Sequence, residues 1–349
     1  MQDILDQLRL WMEAGHEIAL ATVVSTWGSS PRAVGAHMAI GADGSMAGSV
    51  SGGCVEGAVV QEALNILEGA PPKLLKFGVA DEAAWEVGLA CGGSIEVFVQ
   101  RFDPALLEPL AGGYEKRTTQ VMATVIKGPE RILGAAELFD SEGHVTGTWP
   151  DEMSDQVDGW VAATLASQSP TREQVEIDGQ RIETFLNTLL PSPTIIMIGG
   201  VHISIALAEM AGSLGYHTIV IDPRKNFASQ ERFPAVGQLI QSWPEEGLNA
   251  VRIDTSTAIA VLTHDPKIDD PAIKLALRSP AFYIGALGSR KTNAKRVERL
   301  RQEGLSSDEL GRLRAPIGLD LGGRTPEEIA LAILAEITAV RHGMLATIS

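Results

Sequence analysis

Thr194-Ile195-Ile196-Met197-Ile198-Gly199-Gly200-Val201-His202-Ile203-Ser204 is the stretch on which the fold turns. Five residues of strand character meet a glycine pair, and an apolar run over 203–214 then follows at helical spacing. Tyr216 to Ile221 is a second short apolar run, and it ends in Asp222. Strand, turn, helix and strand make one βαβ unit. The pattern continues with a strand over 257–263, a helix near 271–278, a strand over 281–286 and a basic helix near 293–303. Thr325-Pro326-Glu327-Glu328 then places Thr at an N-cap, Pro at the first helical position and Glu at the third, a capping box for a last helix running to about Arg341. Residues 194–343 therefore read as a doubly wound α/β domain around a parallel sheet.

Outward from that domain, Leu190-Pro191-Ser192-Pro193 reads as a linker, because consecutive X-Pro units favour extended backbone. This divides the chain into 1–190 and 191–349. The first part opens with a helical face over 4–12 and a β-rich run from Ile18 to Val24. A glycine-dense stretch from Trp27 to Gly57 follows, with short strands such as His37 to Ile40 and a turn at Asp43-Gly44. Further β-like segments lie at 121–126, 132–138 and 175–186, the last with a hairpin signal at Asp178-Gly179. The first part reads as an α+β domain with many strands, without an internal repeat. At 349 residues, two or three domains are the expected number.

Composition removes several function classes. With 45% hydrophobic and 21% charged residues the chain can bury a core. Its 44 acidic against 28 basic side chains give a formal net charge of −16, which repels nucleic acid and anionic membrane alike. The uncharged stretch from Thr184 to Ala208 is interrupted by Pro191, Pro193 and the glycine pair, so it does not read as a membrane span. Met1-Gln2-Asp3-Ile4-Leu5 lacks the basic start of a signal peptide, so a cytoplasmic protein is expected. Cys54 and Cys91 are too few for a disulfide scaffold and match no zinc-ligand spacing.

Three groups of residues carry candidate chemistry. In the first, Ser49-Val50-Ser51-Gly52-Gly53-Cys54-Val55-Glu56 leads into a helix. A thiol at a helix start meets unpaired backbone N–H groups and the positive end of the helix dipole, which favour a thiolate and make a pocket for an anion. A small buried cysteine in a glycine turn is the competing reading, and Glu56 reads equally as a first-turn acid. Cys91, in Ala90-Cys91-Gly92-Gly93, mirrors this arrangement; it either shares a pocket with Cys54 or is a separate turn residue. The second group is Gly199, Gly200, His202 and Asp222. Its context suits a dinucleotide site, but Val201 stands where a glycine must let backbone approach a pyrophosphate. That argues against NAD(P), although Asp222 could accept a ribose hydroxyl.

The third group lies at later strand ends: Thr263-His264-Asp265, then Gly288, Ser289, Arg290 and Lys291. Carboxyl ends of parallel strands are where such sheets bind ligands, and this basic segment suits a phosphate. His264 and His202 read either as functional groups or as satisfied strand-end histidines, and Arg296 and Arg299 as a solvated helix face. No P-loop, zincin or nucleophile-elbow motif is present in the sequence.

These segments, together with Asp222-Pro223-Arg224, Glu231-Arg232-Phe233-Pro234, Tyr283 to Arg290 and Ile317 to Gly322, resemble the XdhC/CoxI family of accessory proteins for molybdenum hydroxylases. The resemblance implies an N-terminal XdhC/CoxI domain and a Rossmann-like C-terminal domain. It implies a chaperone without turnover of its own that binds molybdenum cofactor (molybdopterin), assists its sulfuration with a cysteine desulfurase and delivers it to an apo molybdenum hydroxylase subunit of the xanthine dehydrogenase type. On this reading Cys54 contacts the molybdenum or its terminal sulfur, and Ser289, Arg290 and Lys291 hold the phosphate, in a cleft between the domains. A homodimer fits a protein of this size. Two alternatives stand beside it: an NAD(P)-dependent oxidoreductase, and a structural subunit that stays with the hydroxylase.

Overall fold

The computed structural model describes residues 1–28, 32–78 and 93–345. It divides into two compact units, Met1–Pro191 and Ser192–Ser349.

The first unit holds two five-stranded antiparallel sheets. Helix α1 (Leu5–Glu13) precedes β1 (Ile18–Trp27), β2 (His37–Gly41) and β3 (Met46–Gly48). Helix α2 (Glu56–Leu67), β4 (Lys73–Phe77) and β5 (Ser94–Arg101) complete the first set. The second set is α3 (Leu107–Glu115), β6 (Gln120–Lys127), β7 (Ala136–Asp140), β8 (Gly143–Gly147), α4 (Ser154–Ser167), β9 (Thr171–Ile177) and β10 (Gln180–Leu189). The sheet orders are β3-β2-β1-β5-β4 and β8-β7-β6-β10-β9. Strand for strand these are the same order, and each set has a helix before its first strand and another between its third and fourth.

The correspondence reaches single residues. Gly35 N–H donates to Val23 O and Val23 N–H to Ala36 O; Gly134 N–H likewise donates to Val125 O and Val125 N–H to Ala135 O. Gly48 and Gly147 close the third strand of each set with φ of +80° and +140°. A Cβ on Gly48 would lie 2.5 Å from His37 O, and one on Gly147 2.4 Å from Ala136 O, in each case the carbonyl of the first residue of the second strand. The unit is thus an internal duplication, which corrects the expectation of no repeat. Residues 34–49 and 133–148 align without a gap, sharing Gly35/Gly134, Ala36/Ala135, Gly44/Gly143 and Gly48/Gly147. Turn glycines and one alanine are held in common while the remaining positions diverge, so composition and periodicity do not reveal it.

The two sheets share core and polar contacts. Val24 and Phe98 pack with Ile126 and Phe185. Arg172 pairs with both Glu96 and Glu183, and Asn187 Nδ2 donates to Gly35 O at 3.3 Å. The hairpin expected at Asp178-Gly179 is present, with both residues at positive φ, as a two-residue turn matched to strand twist requires.

The second unit is a six-stranded parallel sheet: β11 (Thr194–Ile198), β12 (His217–Ile221), β13 (Gln238–Ile240), β14 (Thr257–Val261), β15 (Tyr283–Ala286) and β16 (Leu313–Arg314). Its order, β13-β12-β11-β14-β15-β16, is the Rossmann 3-2-1-4-5-6 arrangement. Helices α5 (His202–Ser213), α6 (Pro244–Asn249), α7 (Pro266–Leu277), α8 (Arg290–Gln302), α9 (Ser307–Gly311) and α10 (Pro326–Arg341) complete it. Alternate residues of the buried central strands feed two cores. Ile196, Ile198, Ile259 and Val261 pack with Ile268, Ile273 and Ala276 of α7. Ile195, Met197, Ala258 and Ala260 pack with Leu207 of α5 and Ile333 and Ile337 of α10. Each such Ile or Leu contributes about 1.5–3 kcal/mol on burial.

Two helices begin earlier than the sequence spacing predicts. Helix α7 starts at Pro266 because the Asp265 side chain caps Lys267 N, and it continues through Pro271. Helix α8 starts at Arg290 because Ser289 Oγ accepts from Thr292 N.

Candidate functional site

Cys54 lies on the connection between β3 and α2, two residues before the helix, and its side chain is exposed. The buried-cysteine alternative is thereby corrected. Gly52 and Gly53 take φ of +83° and +123°, so the backbone turns sharply and its N–H groups converge. From the sequence those donors are expected to meet an incoming anion. In the structure they close on Glu56.

The Glu56 Oε1 atom accepts from Ser51 N and Gly52 N, each at 2.9 Å, and from the Ser49 hydroxyl at 2.8 Å. Its Oε2 accepts from Gly53 N at 2.9 Å, Val55 N at 3.2 Å and the Ser51 hydroxyl. The Ser51 Oγ atom in turn accepts from Cys54 N at 3.1 Å. Burial alone would raise the Glu56 carboxyl, but the Ser51 and Ser49 hydroxyls and the backbone donors outweigh it and hold it down at about 2. Glu56 is therefore an internal anion that fixes the turn and presents the Cys54 thiol outward. Glu56 is the first-turn acid of α2, and both its oxygens are engaged within its own turn. Cys91 lies outside the described residues.

In the second unit the sheet brings the other candidates to the carboxyl ends of its strands. Gly199 and Gly200 follow β11, at the point where the strand order reverses. A Cβ on Gly199 would lie 2.4 Å from Thr263 Cγ2, and one on Gly200 2.4 Å from Phe227 O, so this turn is packed against its own chain. Asp222 is fully buried. Its Oδ1 accepts from Arg224 N at 2.8 Å and Nε at 2.9 Å, and its Oδ2 from Gly200 N at 2.8 Å and Arg224 at 2.7 Å. Those bonds, with Arg224 foremost, overcome desolvation and depress its pKa. Asp222 braces the loop and presents no free oxygen for a ribose hydroxyl, which corrects its assignment as a nucleotide acceptor.

His202, at the first turn of α5, and His264, after β14, are both exposed and not core histidines. Val201, Arg224, Thr263, His264, Asp265 and Pro266 line a depression of about 460 Å³ at the switch point. His264 thus shares a surface with Val201 and with the loop that Asp222 braces.

Gly288 and Ser289 lead into α8, and Arg290 and Lys291 are exposed on its first turn. The Ser289 hydroxyl is used as the N-cap, so an anion would meet Arg290 and Lys291 and their backbone N–H groups. Arg296 is buried, where a solvated face was expected. It donates to Asp269 Oδ2 at 2.7 Å and to Leu287 O at 3.0 Å. Asp269 also accepts from the Thr263 hydroxyl, and Asn293 Nδ2 donates to Gly288 O at 2.9 Å. Arg299 pairs with Asp270 at 2.8 Å. Asp269, Asn293 and Arg296 therefore fix the two strand-end loops, a role missed in the sequence because all three lie inside helices. Among the described residues no three His, Cys, Asp or Glu side chains gather as a metal cage. None of the described helices is long and apolar enough to cross a membrane.

Two family descriptions match the chain: the XdhC and CoxI family over residues 11–78, and the XdhC Rossmann domain over residues 195–337. A Bacillus subtilis (strain 168) protein, described as a probable xanthine dehydrogenase component, is 29% identical, over 95% of both chains. The Escherichia coli (strain K12) molybdenum cofactor insertion chaperone PaoD is 27% identical, over 96% of this chain and 87% of its own. A crystal structure from Bacillus halodurans, described as a xanthine dehydrogenase, superposes with a TM-score of 0.78 at 23% identity, covering 99% of this chain and 97% of its own, and so shares the fold. The two matches together span more than half of the chain, which belongs to the XdhC/CoxI family.

Proposed function

We propose that this chain is a maturation factor that binds molybdenum cofactor as cargo, assists its sulfuration and delivers it to an apo hydroxylase of the xanthine dehydrogenase type. The name of its Escherichia coli relative, a molybdenum cofactor insertion chaperone, supports a maturation role. The observation that carries the reading is the exposed Cys54 thiol on a turn whose backbone donors are locked by Glu56. A soft sulfur ligand suits molybdenum, and an outward thiol on a fixed turn is accessible both to a metal centre and to sulfur supplied by a cysteine desulfurase. Within the second unit, Arg290 and Lys291 are the groups we assign to the cofactor's phosphate. The chain's work on this reading is to bind, orient and hand over in the cytoplasm, without turnover of its own.

An NAD(P)-dependent reading is disfavoured by the saturated Asp222 carboxylate and by Val201 beside it. The test is anaerobic incubation with molybdenum cofactor, followed by quantification of bound molybdenum for wild type and Cys54→Ala. Near-stoichiometric binding that the substitution abolishes is expected. Absence of binding by wild type, or equal binding by both proteins, overturns the proposal.

A further inference from the structure

The matched connections of the first unit share one more residue. Residues 34–49 and 133–148 align without a gap, and two positions before each stretch stands an arginine, Arg32 in one and Arg131 in the other. Each sends its side chain to the connection that follows the third strand of its own half. Arg131 pairs with Glu152, an exposed side chain on the connection from β8 to α4. Arg32 Nε instead donates to the main chain, to Ser49 O at 3.1 Å, on the connection from β3 to α2. Its Nη2 lies 3.5 Å from Asp3 Oδ2, in the segment that precedes α1.

Ser49 is where the Cys54 turn leaves the sheet. Its N–H donates to His37 O at 3.1 Å, and its hydroxyl donates to Glu56 at 2.8 Å while accepting from Gly52 N at 2.9 Å. Glu56 makes the turn internally rigid through its donors at Ser51, Gly52, Gly53 and Val55. Those bonds fix the shape of the turn and leave its direction to whatever holds its ends. Val50 and Val55 seat it in the core. A charge-assisted bond to Ser49 O then opposes sideways displacement of the main chain at the first residue. Asp3 holds the guanidinium in place for that task.

We infer that Arg32 is a positioning residue for Cys54: through Ser49 it sets the direction in which the rigid turn presents the thiol. Arg131 occupies the same place in a connection that carries no cysteine, and there it makes only an exposed side-chain pair. The inference rests on the maturation reading only for what the thiol meets.

The test uses the full chain carrying Cys91→Ser, so that Cys54 alone takes a thiol-reactive nitroxide label. Thermal midpoints confirm folding of Arg32→Ala, Arg32→Lys, Asp3→Ala and Arg131→Ala. In the electron paramagnetic resonance spectrum, Arg32→Ala should lose the slow component of label motion. Asp3→Ala should show a smaller loss, and Arg32→Lys, which keeps a donor and the charge, should restore the component. Arg131→Ala should match the parent, because an exposed pair fixes little. Without the label, Arg32→Ala should bind molybdenum cofactor about tenfold more weakly, with Arg32→Lys closer to the parent. A spectrum of Arg32→Ala identical to the parent's, an equal change in Arg131→Ala, or unchanged cofactor affinity in Arg32→Ala each overturns the inference. Failure of the parent itself to bind cofactor overturns the maturation reading alone, and the label spectra then decide the role of Arg32.

Discussion

The two halves of the first unit share a strand order and differ in what joins their third strand to the following helix. In the first half the connection from β3 to α2 is held by one carboxylate, Glu56, that gathers four backbone N–H groups and two hydroxyls and leaves Cys54 exposed. In the second half the connection from β8 to α4 is held by apolar contacts. Trp149 packs edge-on against Phe139 with ring centroids 6.5 Å apart, and Met153 is fully buried. Glu152 of that connection is exposed and pairs with Arg131 at 2.5 Å. One backbone plan therefore supports either a packed connection or a polar one that projects a thiol. The polar one is where a site can form, because a turn fixed by buried hydrogen bonds keeps its small residues at the surface.

The largest effect should come from removing the internal anion. Glu56→Ala strands several turn donors, and about 3 kcal/mol of destabilisation is expected by denaturant unfolding. Glu152→Ala, in the matching connection, should leave the unfolding midpoint unchanged. Equal effects of the two substitutions would break the contrast between the connections.

The duplicated glycines should respond alike. Gly48→Ala and Gly147→Ala each place a Cβ within 2.5 Å of a backbone carbonyl at positive φ, so each should cost about 2 kcal/mol or more. A large cost at one and none at the other would dissolve the correspondence.

The smallest effect is the pH dependence that Glu56 carries. Glu56 is held at about 2, below its ordinary 4.5, so the unfolded chain takes up a proton first as pH falls. The stability it contributes is complete above about pH 4.5 and is lost as pH falls toward 2. Acid unfolding followed by circular dichroism should show a shallower slope across that window in Glu56→Gln than in wild type. An unchanged slope would mean that the carboxylate is not the anion of the turn.

Much of the second unit was legible in the sequence, since the strand, glycine turn and helix around Thr194 to Ser213, and the capping box at Thr325, are local signals. Their reach ended at the helix starts: Asp265-Pro266 and Ser289 moved α7 and α8 earlier than the apolar spacing placed them. The duplication was present in the sequence as glycines at matched positions, but no periodicity of side chains marked it. At the candidate sites, residue types were legible and their partners were not. Asp222 looked available to a ribose and is saturated by Arg224 and Gly200; Arg296 looked solvated and is buried against Asp269.

Sequence alone determined the parallel-sheet domain, the glycine turn bearing Cys54 and the family resemblance, because each rests on residues near in the chain or on the chain's own order. Only the tertiary structure decided which charges are free. Whether a carboxylate or guanidinium meets a ligand or another part of its own chain depends on contacts between distant segments. Glu56 is taken up within its own turn, while contacts between distant segments commit Asp222 to Gly200 and Arg296 to Asp269, and Cys54, Arg290 and Arg324 stay exposed.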